Sequence, residues 1–333
     1  MNTSANTAHI MIEGFTPYAG NHCETTAIGN LLQHTGIHLS EPMLFGLGQG
    51  LGFIYWDSKA MAFPFIGGRS KPDTVITNLA EGLGLIIHVQ ETSSISKAWQ
   101  HVQTQLERGI PVALKLDAYD LDYFTNKVHF AGHYAVIYGF DNDYAYMADT
   151  KQQGGSVQTR RTSLSAARSA KGLMSSRNRS VTLEPIDPLP PLAPVIRQAL
   201  KSNAHTYLNA PIRNIGNNGI IKMSKAILTW PARTTDIEGH FGLTAMLMER
   251  AGTGGALFRN LYRDFLRECI DLLADRQIEQ AYQLFVQIAP LWIAVSTAIE
   301  QAGQTADEQY LRQASALLIE IADKERTAME LLL

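Results

Sequence analysis

The chain has 333 residues, 45% of them hydrophobic and 18% charged, which suits a globular protein with two modest domains and excludes a disordered chain. A net charge of −3 neither requires nor excludes a charged partner. Two cysteines exclude a disulfide framework and are typical of a protein from a reducing cytoplasm.

The N-terminus and the apolar stretches bear on localisation. The first residues lack a basic region followed by an apolar run, so no signal peptide is predicted. By inspection, no stretch is long and apolar enough to span a membrane. We therefore expect a cytoplasmic protein without a membrane partner.

The first strong element is a helix that begins near a cysteine and follows a short strand at 10–12. Asn21 is a good N-cap, Glu24 completes a capping-box pattern, and the helical spacing ends at Gly36. Cys23 then lies in the first turn, where free N–H groups and the helix dipole favour a thiolate. Its own N–H is placed to hold an oxyanion. The alternative, a small buried core residue, fits the polar neighbours less well.

A glycine-rich run follows over residues 46–52. It matches neither the dinucleotide-binding fingerprint nor the P-loop, so a nucleotide site is not predicted. Glycines alternating in an extended chain allow close approach of a ligand or of another backbone. Two interpretations remain equal: one wall of a substrate cleft, with Gln49 and Tyr55 as binding residues, or a buried loop whose glycines serve packing.

Helices and strands alternate in the middle of the sequence. The predicted elements are a helix over 72–82, a buried strand over 85–89, a helix over 94–108, a strand over 111–116 and a loop over 117–130. A helix followed mostly by strands favours an α+β arrangement.

A predicted hairpin brings a histidine and an acid together. His133 begins a β-branched and aromatic run, a turn follows at 141–143, and a second run ends at Asp149. The two ends meet in an antiparallel hairpin, so Asp149 is placed to orient the imidazole. Asp141 remains the alternative acid, and a purely structural histidine the alternative role. His129 lies four residues before His133, a spacing that suits two zinc ligands on a helix. The pattern around His133 predicts a strand instead, so we expect no metal.

Four motifs resemble the butirosin biosynthesis protein H family: Asn21–Glu24, 39–53, Gly132–Tyr134 and 252–262. The resemblance covers most of the chain apart from about 151–230. It implies a papain-like fold and an acyltransferase that moves an aminoacyl group from an acyl carrier protein to an amine of an aminoglycoside.

The resemblance also implies site residues. Cys23 and His133 fall on motif positions, while Asp149 is placed by analogy with bacteriocin-processing cysteine peptidases. Those peptidases use a glutamine before the cysteine for the oxyanion, but residues 15–19 contain none. The Asn21 side chain is therefore expected to assist the Cys23 N–H.

The resemblance gives the following overall prediction. The fold is α+β, with a papain-like domain over 1–184, a proline-rich linker and connecting segment over 185–230 and an all-α domain over 231–333. The enzyme needs no cofactor of its own, because the acyl donor is a thioester on the phosphopantetheine of an acyl carrier protein. The acceptor is a small-molecule amine in secondary-metabolite biosynthesis. The alternatives are a papain-like peptidase or amidohydrolase and a non-catalytic binding protein; a homodimer is left open.

The segment 151–180 is basic. It contains no acidic residue and seven cations: Lys151, Arg160, Arg161, Arg168, Lys171, Arg177 and Arg179. It lacks the aromatic interleaving of a nucleic-acid site, so no nucleic-acid partner is expected. An acidic carrier protein is the preferred partner, and a solvated surface is the alternative.

Helical patterns dominate after the prolines at 185–194. Thr235 and Thr305 each open a capping box. Cys269 falls on an apolar stripe and is expected in the core. Arg259 follows the break at 252–255, where a glycine-rich helix start with an arginine suits an anion; a simple joint between packed helices is the alternative.

Overall fold

The computed structural model describes residues 9–59, 61–69, 71–172, 174–184 and 188–333. Residues 1–8, on which the signal-peptide expectation rests, and Pro185 lie outside them. The chain divides into two compact units, each built from two stretches. Unit 1 contains Met1–Leu44 and Leu79–Leu189, and unit 2 contains Phe45–Asn78 and Pro190–Leu333.

The elements are numbered in chain order. The strands are β1 (Ile10–Met11), β2 (Ile54–Trp56), β3 (Phe65–Gly67), β4 (Ile86–Gln90), β5 (Val112–Leu116), β6 (His133–Phe140), β7 (Tyr144–Ala148), β8 (Ser156–Arg160) and β9 (Ser180–Glu184). The α-helices are α1 (Cys23–His34), α2 (Glu41–Leu47), α3 (Thr74–Leu83), α4 (Ile95–Glu107), α5 (Arg161–Ser169), α6 (Leu192–Leu208), α7 (Gly216–Ala226), α8 (Ile237–Arg250), α9 (Arg259–Leu273), α10 (Arg276–Thr305) and α11 (Gln309–Glu330).

Unit 1 is organised around an antiparallel sheet. Its strands run in the order β4-β9-β5-β6-β7-β8. The short strand β1 pairs with the C-terminal end of β6. All residues of β5 are buried, because α1, α4 and α5 pack against it. This covering explains why four of the five residues of β5 are apolar, the exception being the buried Lys115, rather than every second one. Unit 1 therefore has the predicted α+β architecture.

One predicted strand has a different environment from the expected one. The strand predicted over 85–89 forms as β4, but it pairs only with β9 and lies at the edge of the sheet. Ile86 and Val89 are exposed, so the prediction that this strand is buried was wrong. A short apolar run gives no signal that separates an edge strand from a central one.

Unit 2 is helical apart from the β2–β3 hairpin. Its longest helix, α10, packs against α8, α9 and α11. Most of the segment 185–230, predicted as a proline-rich linker and connecting segment, is occupied by α6 and α7. Pro191 precedes the first residue of α6 and Pro194 lies in its first turn, where a missing N–H removes no helical bond. These prolines mark a helix start.

The helix starts of unit 2 also differ from the predicted capping boxes. Asp236, one residue after Thr235, is the N-cap of α8, and its carboxylate accepts a hydrogen bond from Gly239 N–H. Thr305 ends α10, and α11 begins only after Glu308. Acidic and hydroxyl residues that follow one another compete for the cap, which makes a boundary uncertain by one or two positions.

The longest helix meets a membrane-span criterion that inspection of the sequence had missed. By length and composition alone, α10 is apolar enough to cross a bilayer, and 44% of its most apolar window is buried within the protein. Phe285, Ile288 and Trp292 of this helix belong to the core. A core helix passes the same test, so the criterion is weak evidence for a membrane span.

Candidate active site

Cys23 is the first residue of α1 and is partly exposed. The N-cap is His22, not Asn21, and its Nδ1 accepts a hydrogen bond from Thr25 N–H at 3.3 Å. Glu24 is buried and does not complete the predicted capping box. With His22 as the N-cap, Cys23 still lies in the first turn of α1, where the helix dipole acts on a thiolate.

The segment before Cys23 is held along one face of α1. The Thr26 hydroxyl accepts a hydrogen bond from Gly20 N–H at 3.2 Å. Asn30 accepts one from Tyr18 N–H and donates one to Tyr18 O, both at 2.9 Å. These two helix residues lie four positions apart and therefore share a face. Cys23 is thus carried on a turn whose backbone is fixed.

His133 is placed between the cysteine and an acid. Its Nε2 lies 2.7 Å from Asp149 Oδ2, and both side chains are buried. A side-chain hydrogen bond also joins His133 and Cys23. Because Nε2 faces the acid, Nδ1 is the ring nitrogen left for the thiol. Burial alone would lower the pKa of His133, but the charge and hydrogen bond of Asp149, together with Cys23, raise it to about 10.

The acid is itself anchored. Asp149 Oδ1 accepts a hydrogen bond from Thr150 N–H at 2.6 Å, and Oδ2 accepts one from the Tyr123 hydroxyl at 2.8 Å. Burial and the nearby carboxylate raise the pKa of Tyr123, so the hydroxyl remains a donor. The Phe124 ring packs edge-on against His133 at 5.1 Å between centroids. Both aromatic residues were missed in the sequence, where only the Tyr- and Asp-rich loop over 117–130 hinted at them.

Asp141, the alternative acid, binds residues of its own hairpin. Asp141 accepts hydrogen bonds from the N–H groups of Asp143 and Tyr144 and from the Tyr146 hydroxyl, which lie in the β6–β7 turn and in the first residues of β7. It does not reach His133. His129 Nδ1 lies 2.9 Å from Asp117 Oδ2. The described part of the chain contains no group of three or more His, Cys, Asp or Glu residues that could hold a metal ion.

The glycine-rich run packs inside unit 2 and is not an extended wall. Gly46 lies in α2 against the Phe265 ring, and Gly50 lies against the Phe45 ring. At either position, the Cβ of any other residue would clash with the ring. The packing interpretation therefore accounts for these two glycines. Gln49 is half-buried with a φ of 52°.

The other two candidate substrate residues are buried in unit 2. Tyr55 is 1% exposed and its hydroxyl accepts a hydrogen bond from Trp230 Nε1 at 3.2 Å. Arg259 is fully buried, and its guanidinium donates to Glu325 at 2.8 and 3.0 Å and to Leu257 O at 2.7 Å. A cation in this setting is not available to an anion from solvent. The structure thus supports the helix-joint interpretation of 252–259.

Some cations of the basic segment pair with acids from elsewhere in unit 1. Arg160 pairs with Asp122 at 2.9 Å, and Arg179 pairs with Glu91 at 2.7 Å. Arg168 is 3% exposed, so it is not a surface cation. Carrier docking on the segment 151–180 therefore stays a prediction, and Arg168 is removed from the cations that could take part in it.

The contrast between the two cysteines gives a first test. Burial raises the pKa of Cys269, whereas Cys23 is partly exposed beside His133 at a helix N-terminus. We expect iodoacetamide to alkylate Cys23 at least about tenfold faster than Cys269 at neutral pH, because the thiolate is the reacting form. Peptide mapping of the labelled native protein measures both rates. Equal, slow labelling of the two thiols would contradict the assignment of Cys23 as nucleophile.

Two family models match the chain. The model described as Butirosin biosynthesis protein H, N-terminal, matches residues 22–150, and a domain of unknown function, DUF4872, matches residues 162–332. Among solved structures, a Bacillus anthracis protein described as a C39-like peptidase is 17% identical, covers 54% of this chain and 98% of its own, and has a TM-score of 0.38. The comparison with curated proteins finds no match. The second family model begins at 162, so the similarity reaches further into the chain than inspection of the motifs suggested.

Proposed function

The chain belongs to the butirosin biosynthesis protein H family, and from this membership and the geometry at Cys23 we propose that it is a cysteine-dependent acyltransferase. The observation that carries the proposal is the position of His133, which bonds to Asp149 on one side and to Cys23 on the other. A thiol, a base and an orienting acid in this order form the arrangement needed for covalent acyl transfer.

In the first half-reaction, His133 Nδ1 takes the thiol proton and the Cys23 sulfur attacks the carbonyl carbon of a thioester. The resulting oxyanion accepts hydrogen bonds from Cys23 N–H and from the Asn21 side chain. When the intermediate collapses, the carbon–sulfur bond to the donor breaks and the donor thiolate takes the proton from His133. The acyl group is then bound to Cys23.

In the second half-reaction, an amine attacks the acyl-enzyme and passes its proton to His133. The carbon–sulfur bond to Cys23 breaks, which leaves an amide product and regenerates the thiol. Asp149 holds the imidazole in place and stabilises its protonated form in both steps. Water in place of the amine gives hydrolysis, the reaction of the peptidase or amidohydrolase alternative.

The proposed donor is a thioester on the phosphopantetheine of an acyl carrier protein, and the proposed acceptor is a small amine in secondary-metabolite biosynthesis. Family membership supports this pair, and the enzyme itself supplies only side chains. Arg160 and Arg179 of the segment 151–180 pair with carboxylates of unit 1, so we do not place carrier docking on those two side chains.

Intact-protein mass spectrometry tests the proposal. Incubation with a panel of acylated carrier proteins should add one acyl mass to the wild type and none to Cys23→Ala. A panel of amines should then remove that mass faster than water does and yield the amide. Labelling by coenzyme A thioesters alone would identify a different donor class. Hydrolysis without amide formation, or no acyl-enzyme with any donor, would contradict the acyltransferase assignment.

A further inference from the structure

A single carboxylate gathers the hydrogen-bond donors of the turn that leads to Cys23. Glu41, at the start of α2, is 8% exposed. Its Oε1 accepts hydrogen bonds from Asn21 N–H at 2.7 Å, His22 N–H at 2.8 Å and the Thr25 hydroxyl at 3.0 Å. Its Oε2 accepts hydrogen bonds from Asn21 N–H at 2.8 Å and from Asn21 Nδ2 at 2.9 Å. The acid thus binds both the backbone and the side chain of Asn21.

The turn has room for this carboxylate because residue 20 is a glycine. A Cβ at Gly20 would lie 2.6 Å from Glu41 Oε1, which is too close for contact. Gly20 O also accepts a hydrogen bond from Lys151 N–H at 2.8 Å, which ties the turn to the segment that follows Asp149. The site is therefore built around the acid and linked to the catalytic hairpin.

These bonds decide which donors remain for a substrate. The N–H groups of Asn21 and His22 both point to Glu41, so they cannot serve an oxyanion. A carboxamide nitrogen carries two hydrogens, and Glu41 accepts only one of those on Asn21 Nδ2. The second Nδ2 hydrogen can therefore serve another acceptor, since Asn21 is exposed and lies two residues before Cys23.

We propose that Glu41 is a positioning residue for the oxyanion site: it fixes the Asn21 carboxamide so that its second hydrogen faces the acyl oxygen beside Cys23 N–H. This inference rests on the proposed acyl transfer. A carboxylate suits the task because it only accepts hydrogen bonds, and every partner around it is a donor. In Glu41→Gln, one amide N–H group would face another donor, and the Asn21 side chain would turn away.

Two probes of the same thiol separate positioning from folding. Alkylation by iodoacetamide forms no oxyanion, whereas a small aldehyde forms a tetrahedral adduct whose oxygen needs the site. We expect Glu41→Gln and Asn21→Ala each to weaken aldehyde binding by about 100- to 1,000-fold, the range for loss of one oxyanion donor. Alkylation should stay within about twofold in both variants, with an unchanged pH profile. Glu81→Gln, an exposed residue of α3, is the matched control for the chemical change.

The double variant adds a second criterion. Because both residues are proposed to act through one donor, Asn21→Ala combined with Glu41→Gln should bind the aldehyde no more weakly than Asn21→Ala alone. Additive losses would overturn the proposal. If Glu41→Gln does not fold, Gly20→Ala takes its place, since its methyl group displaces the carboxylate.

Three other results would also overturn it. These are equal losses in alkylation and aldehyde binding, no loss in aldehyde binding, and a wild type that binds the aldehyde no better than free cysteine does. The aldehyde readout needs no acyl donor. A failure of acyl transfer with every carrier protein would therefore count against the proposed function. The aldehyde measurements would still decide whether Glu41 positions Asn21.

Discussion

Cys23→Ala should abolish acyl-enzyme formation, and His133→Ala should slow it by about 10²- to 10⁴-fold, the contribution usual for a positioned general base. The physical reason is that His133 bonds to the Cys23 side chain and takes its proton. Single-turnover acylation followed by intact-protein mass spectrometry measures both effects. The structural control is His88→Ala, an exposed histidine of β4, which should react at the wild-type rate. An undiminished rate in His133→Ala would remove the base assignment.

Asp149→Asn should have a smaller effect than loss of the nucleophile, since the acid orients the imidazole and does not react. Asp149 is the main reason that the pKa of His133 stands near 10 despite burial. In the variant the pKa should fall, so the imidazolium should lose its proton at lower pH, which an NMR titration of the ring can follow. Asp141→Asn is the matched control and should leave both the rate and the titration unchanged. A silent Asp149→Asn with an impaired Asp141→Asn would reverse the assignment.

Glu325→Gln should lower the free energy of unfolding by about 3–5 kcal/mol, the usual cost of breaking a buried ion pair. Arg259 and Glu325 are both fully buried. The carboxylate also accepts hydrogen bonds from Trp292 Nε1, at 2.7 Å, and from the Tyr207 hydroxyl. Its loss leaves the guanidinium in a low-dielectric interior without its counter-charge.

Urea unfolding followed by tryptophan fluorescence measures this effect, because Trp230 and Trp292 are buried in unit 2. Glu320→Gln changes an exposed residue of the same helix, α11, and should alter the free energy by no more than about 0.5 kcal/mol. Equal midpoints for the two variants would show that the buried pair contributes little to stability.

The arrangement of Cys23, His133 and Asp149 was predictable because its signals are local. A helix start is encoded within a few residues, which placed Cys23 in a first turn. The hairpin is encoded by two apolar runs and a short turn, which placed His133 and Asp149 at adjacent strand ends. Neither inference needed knowledge of distant contacts.

The errors about the charged residues share one cause, which is that the partner is distant in the sequence. The turn before Cys23 binds Glu41, whereas local spacing pointed to Glu24. Arg259 pairs with Glu325, and Arg160 with Asp122. Charge patterns along a sequence show which groups need a partner, but only the folded chain shows which partner each one has.

The interleaved construction of the two units limits how this protein can be divided or recombined. The chain passes from one unit to the other after Leu44, Asn78 and Leu189. The second family model begins at residue 162, yet β9 lies after that point and sits between β4 and β5 in the sheet of unit 1. An exchange of C-terminal halves between relatives at that boundary would therefore replace an inner strand of the sheet of unit 1. Donor and recipient would have to match in the packing of unit 1 as well as of unit 2, so the two halves are expected to evolve together.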